Sequence, residues 1–390
     1  MEFRKKHLLA FFVTAVICVL SYIFYGILQT VTPSKEWLYS RIAGTAAVTS
    51  IRCKPHFREG VASPLPQIVP GKQWSIWNKF STAISKEVLE SVRTYRTTNK
   101  FHVSLNLTRR NSTLSKGELL CELKVRVPFG TIKAGDGPFS GGGWENILPN
   151  ESLAETLGLL KTCAVVMSSG SIRNSTLGTE IDSHDAVLRF NSAPTKGHSV
   201  DVGNRTTLRI INSQLMMSKT DGFLTDPLYN TGVLMVWDPA PYSRDLYAWY
   251  RKPDFDFFQT YKDYRRLHPQ QPFYILSPSM QWDLWDVIQE NTPTDIQPNP
   301  PSSGMLGIAV MMNLCEKISV YEFLPSHRKT DLCHYFQNIH NRQCTVGHYH
   351  PLTFEKNLVK GLNLGSHCDI YTSGKVTMCG FSQKRCPYEL

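Results

Sequence analysis

The chain has no GxGxxG stretch, no internal repeat, no zinc-finger cysteine spacing and no run in which basic and aromatic residues interleave. Each absence removes a class of function. Without the cysteine spacing or the basic–aromatic pattern, nucleic acid is not an expected partner, although Lys and Arg outnumber Asp and Glu by 42 to 32. The net charge of +10 suits an anionic ligand, or more plainly a solvated basic surface. Without GxGxxG there is no dinucleotide fingerprint. The chain is not depleted in core formers, since 42% of it is hydrophobic and 11% aromatic, which excludes a disordered polypeptide.

Charge is missing altogether from residues 8–28, "LLAFFVTAVICVLSYIFYGIL". Those 21 residues are long enough to span a bilayer as a helix. No small-x-small cleavage site follows, so a retained signal anchor is expected rather than a cleaved signal peptide. Arg4, Lys5 and Lys6 precede the run, while Lys35, Glu36 and Arg41 follow it, which leaves residues 1–7 as a cytosolic tail. Everything after about residue 29 is then lumenal. Five Asn-x-Ser/Thr acceptors agree with that side: Asn106, Asn111, Asn150, Asn174 and Asn204. Nine of the ten cysteines also lie beyond the span, where disulfides persist. Nine is odd, so one thiol stays free or pairs between chains; Cys53, alone in its segment, is the candidate for a homodimer link or an inert thiol.

Residues 29–100 carry scattered Pro, Ser and Lys with weak periodicity and read as a stem, with "SKEVLESVRTY" (85–95) as one helix. The body, 101–390, alternates short apolar runs with helical patterns. "CAVVMSSGS" (163–171), "DAVLRFN" (185–191), "TTLRIINS" (206–213), "TGVLMVWD" (231–238), "PFYILS" (272–277) and "ISVYEFL" (318–324) read as strands. That is the α/β class, with a mostly parallel central sheet flanked by helices. Ligands in such sheets sit at the carboxyl ends of the strands, which directs attention to Ser168, Asn191, Asn212 and Asp238.

Three stretches bear chemistry. After the first strand, "VVMSSGSIRNSTLG" offers backbone N–H groups and Ser hydroxyls to a phosphate, or is a plain turn. In "QPNPPSSGMLGIAVMMNLCEK", an apolar helix from Met305 to Leu314 starts at Ser302, Ser303 and Gly304, a ready anion site unless the serines only cap. In "HYHPLTFEKN", Pro351 marks the first helical position and His350 the cap. There the positive end of the helix dipole would keep His350 neutral and able to act as a general base. Glu355 lies about 140° around an ideal helix from His350, so it reads as a structural ion-pair partner rather than a member of a dyad. Asp254-x-Asp256 in "PDFDFF" has the spacing that lumenal glycosyltransferases use for manganese. No second acidic cluster flanks it, and Asp254 or Asp256 reads better as an acceptor for hydroxyls.

These residues also carry a resemblance. "CAVVMSSGS" with "DSHDAVLRFNSAPTKGHSVDVGNRTTLRIIN" resembles the long donor-binding sialylmotif of the animal sialyltransferases. "PNPPSSGMLGIAVMMNLCEKISVYEF" is similar to their short motif, and "CTVGHYHPLTFEKN" to their third and very short motifs. "NSQ", "VWDP" and "QPNPPSSGMLGI" look most like the β-galactoside α-2,6 branch, and the compact length like its shorter member. The resemblance implies a GT-A-like (Rossmann-like) variant fold and a single-pass type II Golgi membrane protein, with release after stem cleavage left open. It implies CMP-sialic acid as donor, galactose-terminated N-glycans of glycoproteins as acceptors, inversion, and no metal or other cofactor. It assigns His350 as catalytic base and Ser168, Asn191, Asn212, Ser302, Ser303, Gly304, His334 and His350 to the donor. Gln214, Asp254 and Tyr349 go to the acceptor. His334 departs from the pattern, standing where related enzymes often carry Tyr. Family pairing implies disulfides Cys121–Cys386, Cys163–Cys315 and Cys333–Cys344, with Cys368 and Cys379 left to pair with each other. The competing readings are an α-2,3 enzyme of the same family and a membrane-anchored glycan-binding protein without catalysis.

Overall fold

Residues 160–379 build a seven-stranded sheet in the order β5-β4-β3-β2-β1-β6-β7. The strands are β1 Leu160–Val166, β2 Ala186–Phe190, β3 Leu208–Asn212, β4 Val233–Trp237, β5 Phe273–Ile275, β6 Cys315–Tyr321 and β7 Lys375–Cys379. All neighbours pair in parallel except β6 with β7. The six apolar runs expected to be strands are β1 to β6, because a parallel sheet covered on both faces selects continuous Val, Ile and Leu. Strand β7 was not anticipated: it is an antiparallel edge whose side chains alternate between buried and half-buried. This is a mixed α/β body. The computed structural model describes residues 84–387, apart from 107–108, 111–112, 219 and 221. The expected span 8–28, Cys53 and Asn111 lie outside those residues.

Helices of two turns or more flank the sheet: α1 Lys86–Thr98, α2 Lys116–Arg126, α3 Phe258–Leu267, α4 Ser279–Glu290, α5 Ser303–Leu314, α6 Leu352–Leu362 and α7 His367–Ser373. Helix α1 changes the expected boundary between stem and body. Ser85 caps it, accepting from the Val88 N–H, and Val88 and Val92 enter the same core as Leu119, Met305 and Phe354. The packed body therefore reaches back at least to Lys86, and "SKEVLESVRTY" belongs to it.

Helix α5 is buried from Met305 through Met312, as an all-apolar sequence requires. It can lie close on the sheet because Gly307 has no side chain. A Cβ there would stand 2.6 Å from the Phe190 ring and 2.8 Å from Leu188. The strand order reverses between β1 and β6, and α5 leads directly into β6. The mouth of the sheet at the carboxyl ends of β1, β2, β3 and β6 thus faces the start of α5.

Disulfides Cys121–Cys386, Cys163–Cys315 and Cys333–Cys344 are formed. Cys163–Cys315 ties β1 to β6, the two strands that flank the reversal. Cys368 and Cys379 do not pair, since Cys379 is a free thiol and Cys368 is disulfide-bonded. Asn106, Asn150, Asn174 and Asn204 are exposed.

Candidate active site

A cavity of about 760 Å³ opens at that mouth. Ser168 and Ser169 come to it from the turn after β1, Asn191 from the end of β2 and Asn212 from the end of β3. Ser302, Ser303 and Gly304 come from the start of α5, and His350 from the residue pair before α6. All eight residues assigned to the donor, His334 included, line this one cavity.

The two asparagines are oriented by backbone. Asn191 Oδ1 accepts from the Asn212 N–H at 3.0 Å, and Asn212 Oδ1 accepts from the Leu215 N–H at 2.9 Å, capping Ser213–Met217. With both oxygens committed, the NH2 end of each amide is what a ligand can use. Asn191 also sits in the left-handed region, φ 47°, which Asn tolerates. Its carbonyl is held by Arg209 Nη1 at 2.6 Å, and the same nitrogen binds the Ala193 carbonyl at 3.0 Å. Arg189, in register with Arg209 on the neighbouring strand, holds the carbonyls of Val202 and Arg205. Both guanidiniums are buried, and burial pushes Arg189 down to about 10. These two arginines, which staple the loop leaving Asn191, were not among the expected site residues. Their signal was present: a lone cation in the middle of "DAVLRFN" and another in "TTLRIINS".

The start of α5 is arranged differently from the expectation. Ser302 Oγ donates to Glu355 Oε2 at 2.6 Å and accepts from the Met305 N–H at 3.2 Å, so its hydroxyl is spent within the protein. The Ser302 N–H also goes to Glu355, at 2.7 Å. Ser303 Oγ accepts from Trp237 Nε1 at 3.0 Å, which leaves its own O–H free to donate. Glu355 is therefore no ion-pair partner; it is the fully buried acceptor that grips the cap of α5. Burial pushes its carboxyl up to about 7, against the two Ser302 bonds that pull it down.

His350 lies one residue earlier than expected relative to its helix: Pro351 takes the cap and α6 starts at Leu352. Its neutrality also has a different cause. Burial, not a helix dipole, is what lowers the imidazole, and a bond to the Pro300 carbonyl only partly opposes it. That bond, Nδ1 to Pro300 O at 2.8 Å, fixes the tautomer, because a carbonyl can only accept. Nδ1 carries the hydrogen, and Nε2 keeps a lone pair. The ring stands 6.4 Å from Trp237 and 4.8 Å from Tyr349, centroid to centroid.

Three cations line the cavity that the sequence reading did not single out: Lys329, Arg342 and Lys356. Lys356 is the most enclosed, with Nζ donating to the Thr345 carbonyl at 2.7 Å, and desolvation pushes it down to about 8. A lysine in an amphipathic helix is ordinarily a solvated one, so nothing in "FEKN" sets it apart. His334 stacks on Phe336 at 5.3 Å, and its Nδ1 meets Gln337 Oε1 at 2.6 Å.

None of the three residues assigned to the acceptor lines the cavity. Tyr349 is half-buried, and burial with the nearby Asp254 and Asp238 charges raises its phenol. Asp254 forms an ion pair with Lys100. Gln214 is exposed on the short helix after β3. Asp256 is exposed as well, and among the described residues no three His, Cys, Asp or Glu side chains gather as metal ligands.

Comparison with known proteins places these features in context. A protein-family profile described as glycosyltransferase family 29 (sialyltransferase) matches residues 146–365. The chain is 51% identical over 322 residues to beta-galactoside alpha-2,6-sialyltransferase 1 of Mus musculus, covering 82% of this chain and 80% of the other. It is 54% identical over 280 residues to beta-galactoside alpha-2,6-sialyltransferase 2 of Bos taurus, covering 72% of this chain and 57% of the other. A crystal structure of a mammalian sialyltransferase in complex with Gal-beta-1-3GalNAc-ortho-nitrophenol matches with a TM-score of 0.36 at 18% identity, over 71% of this chain and 91% of that one.

Proposed function

Because this chain belongs to glycosyltransferase family 29, the sialyltransferases, we propose that it moves sialic acid from CMP-sialic acid to O6 of a terminal β-galactoside, with His350 as general base and no metal. The observation that carries the reading is His350: its Nδ1–H is tied to Pro300 O, so the lone pair on Nε2 is left beside a cavity rich in donors and cations. The galactose O6–H attacks the anomeric carbon as its proton passes to Nε2. The bond from that carbon to the phosphate oxygen breaks on the opposite face, which inverts the configuration, and CMP departs.

The charge that develops on CMP needs donors already in place. The Ser303 O–H, the backbone N–H groups of Ser303 and Gly304, Lys356 and His334, all lining the cavity, supply them. Ser302 contributes neither hydroxyl nor N–H, since Glu355 takes both. Asn191 and Asn212 present NH2 groups to the nucleotide. A monophosphate leaving group has less charge to neutralise than a diphosphate, which fits a site built from amides and Lys. We read the sheet as the GT-A-like variant, and residues 8–28 as the anchor of a type II Golgi membrane protein, on the uncharged run and the basic tail before it. Galactose-terminated glycoproteins are the acceptors in this reading.

Incubating the purified lumenal body with CMP-sialic acid and N-acetyllactosamine, then assigning the linkage of the product, tests the proposal. An α-2,6 product is expected. An α-2,3 product would move the chain to another branch, and binding of glycan without turnover would make it a lectin.

A further inference from the structure

Strand β4 ends at Trp237 and Asp238 follows it directly, so the two successive side chains leave the chain in opposite directions. Trp237 reaches Ser303 on the donor side. Asp238 turns the other way and is 1% exposed. Its carboxylate accepts four hydrogen bonds: from the Ser213 O–H, from Trp249 Nε1–H at 2.8 Å, and from the backbone N–H groups of Asp254 at 2.9 Å and Phe255 at 3.1 Å. The donors come from three separate segments, one beside Gln214 and one that carries Asp254 itself.

We propose that Asp238 is the positioning residue of the acceptor subsite, holding the Gln214 helix and the Asp254 loop in register with the Tyr349 rim. The inference rests on the sialyltransferase reading for the identity of the acceptor. Its physical content is that only an ionised carboxylate can serve four donors at once. An amide or a protonated acid turns one of its two heads into a donor, and that head then faces another N–H. With Asn at 238, Ser213 can reverse its hydroxyl, but the Phe255 N–H loses its acceptor. Burial pushes Asp238 up to about 6, and the four donors keep it from rising further. The groups around it are Tyr349, Asp254 with its partner Lys100, and, through the ring contact with Tyr349, His350. As pH falls through about 6, Asp238 takes a proton, the 254–255 turn loses an anchor, and the acceptor binds less well.

The test is steady-state kinetics on the full lumenal body with CMP-sialic acid and N-acetyllactosamine varied in turn, from pH 5.5 to 8. At pH 7.5, D238N should raise the acceptor KM about tenfold or more and leave the donor KM within twofold. Wild-type acceptor KM should climb as pH drops through about 6, approaching a flat profile in D238N. S213A keeps the carboxylate, removes one donor and should show a smaller rise, which covers the case in which D238N does not fold. An unchanged acceptor KM in both variants, or donor and acceptor KM rising together with a lowered thermal midpoint, would overturn the assignment. If the wild type transfers no sialic acid, it is the sialyltransferase reading that fails. Titration calorimetry of the disaccharide in the presence of CMP then still decides for Asp238, equal affinity in wild type and D238N ruling it out.

Discussion

Replacing Glu355 by Gln separates two effects of one buried carboxylate. The side chain accepts from the Ser302 N–H at 2.7 Å and from the Ser302 O–H at 2.6 Å, and its own burial raises it from an ordinary 4.5 to about 7. An unfolded chain ionises this group near 4.5, whereas the folded protein keeps the proton until about 7. The stabilisation is therefore complete below pH 4.5 and is lost as pH rises through 7. At ~1.4 kcal/mol per pH unit, forcing the charge costs the native state about 3 kcal/mol by pH 8. Gln cannot ionise, yet it preserves both contacts: Oε1 accepts from the Ser302 N–H and Nε2 donates to Ser302 Oγ. E355Q should then gain on the wild type from pH 4.5 to 8, reaching several degrees in thermal midpoint. E355A instead leaves Ser302 unpaired beside a void and should fall below wild type at every pH. Scanning calorimetry of the three proteins across that range measures it. Wild-type and E355Q midpoints that run parallel with pH would refute the argument.

His350→Ala should lower kcat by roughly 10²–10⁴ while CMP affinity measured by calorimetry stays within a few-fold. Because burial holds the His350 imidazole below 6.5, its protonation should add no fall in wild-type kcat from about pH 7.5 down to about 6.5, which a pH–rate profile checks. Activity should survive EDTA; a loss restored by manganese would return Asp254-x-Asp256 to consideration as a metal site. Gly307→Ala would drive a methyl into Phe190 and Leu188 and should cost about 1–3 kcal/mol, read as a lowered thermal midpoint. Phe190 lines the cavity, so CMP binding should weaken with it.

Strands β1 to β6 were legible because both faces of a parallel sheet are covered, and such strands are written mostly in apolar letters. Strand β7 was not, since Lys375 and Thr377 alternate with Val376 and Met378 in a pattern that a loop with a cysteine equally satisfies. Helix α1 was visible as a helix but not as part of the body. "SKEVLESVRTY" has only two core positions, Val88 and Val92, and nothing local says what they pack against. Arg189 and Arg209 show the opposite case, a local anomaly that is informative only once read as a buried cation needing carbonyls.

The spacing of the last motif has a physical reason that periodicity alone could not supply. His350 and Glu355 sit on different sides of their helix start, and reasoning about whether they touch each other was the wrong question. Each instead reaches across to the same short loop, His350 to the Pro300 carbonyl and Glu355 to Ser302 two residues later. Three more bonds extend the seam: Gln297 Nε2 to the Gly347 carbonyl at 3.0 Å and to the His348 carbonyl at 3.3 Å, and Asn299 Nδ2 to the Tyr349 carbonyl at 2.8 Å. The residues before α5 and those before α6 are thus laced together pair by pair. The imidazole proposed to take the proton and the helix start proposed to receive the leaving phosphate are parts of one hydrogen-bonded piece. A displacement of one relative to the other would break several bonds at once, and in the proposed reaction this lets residues 50 positions apart in the chain serve the forming bond and the breaking bond of a single displacement.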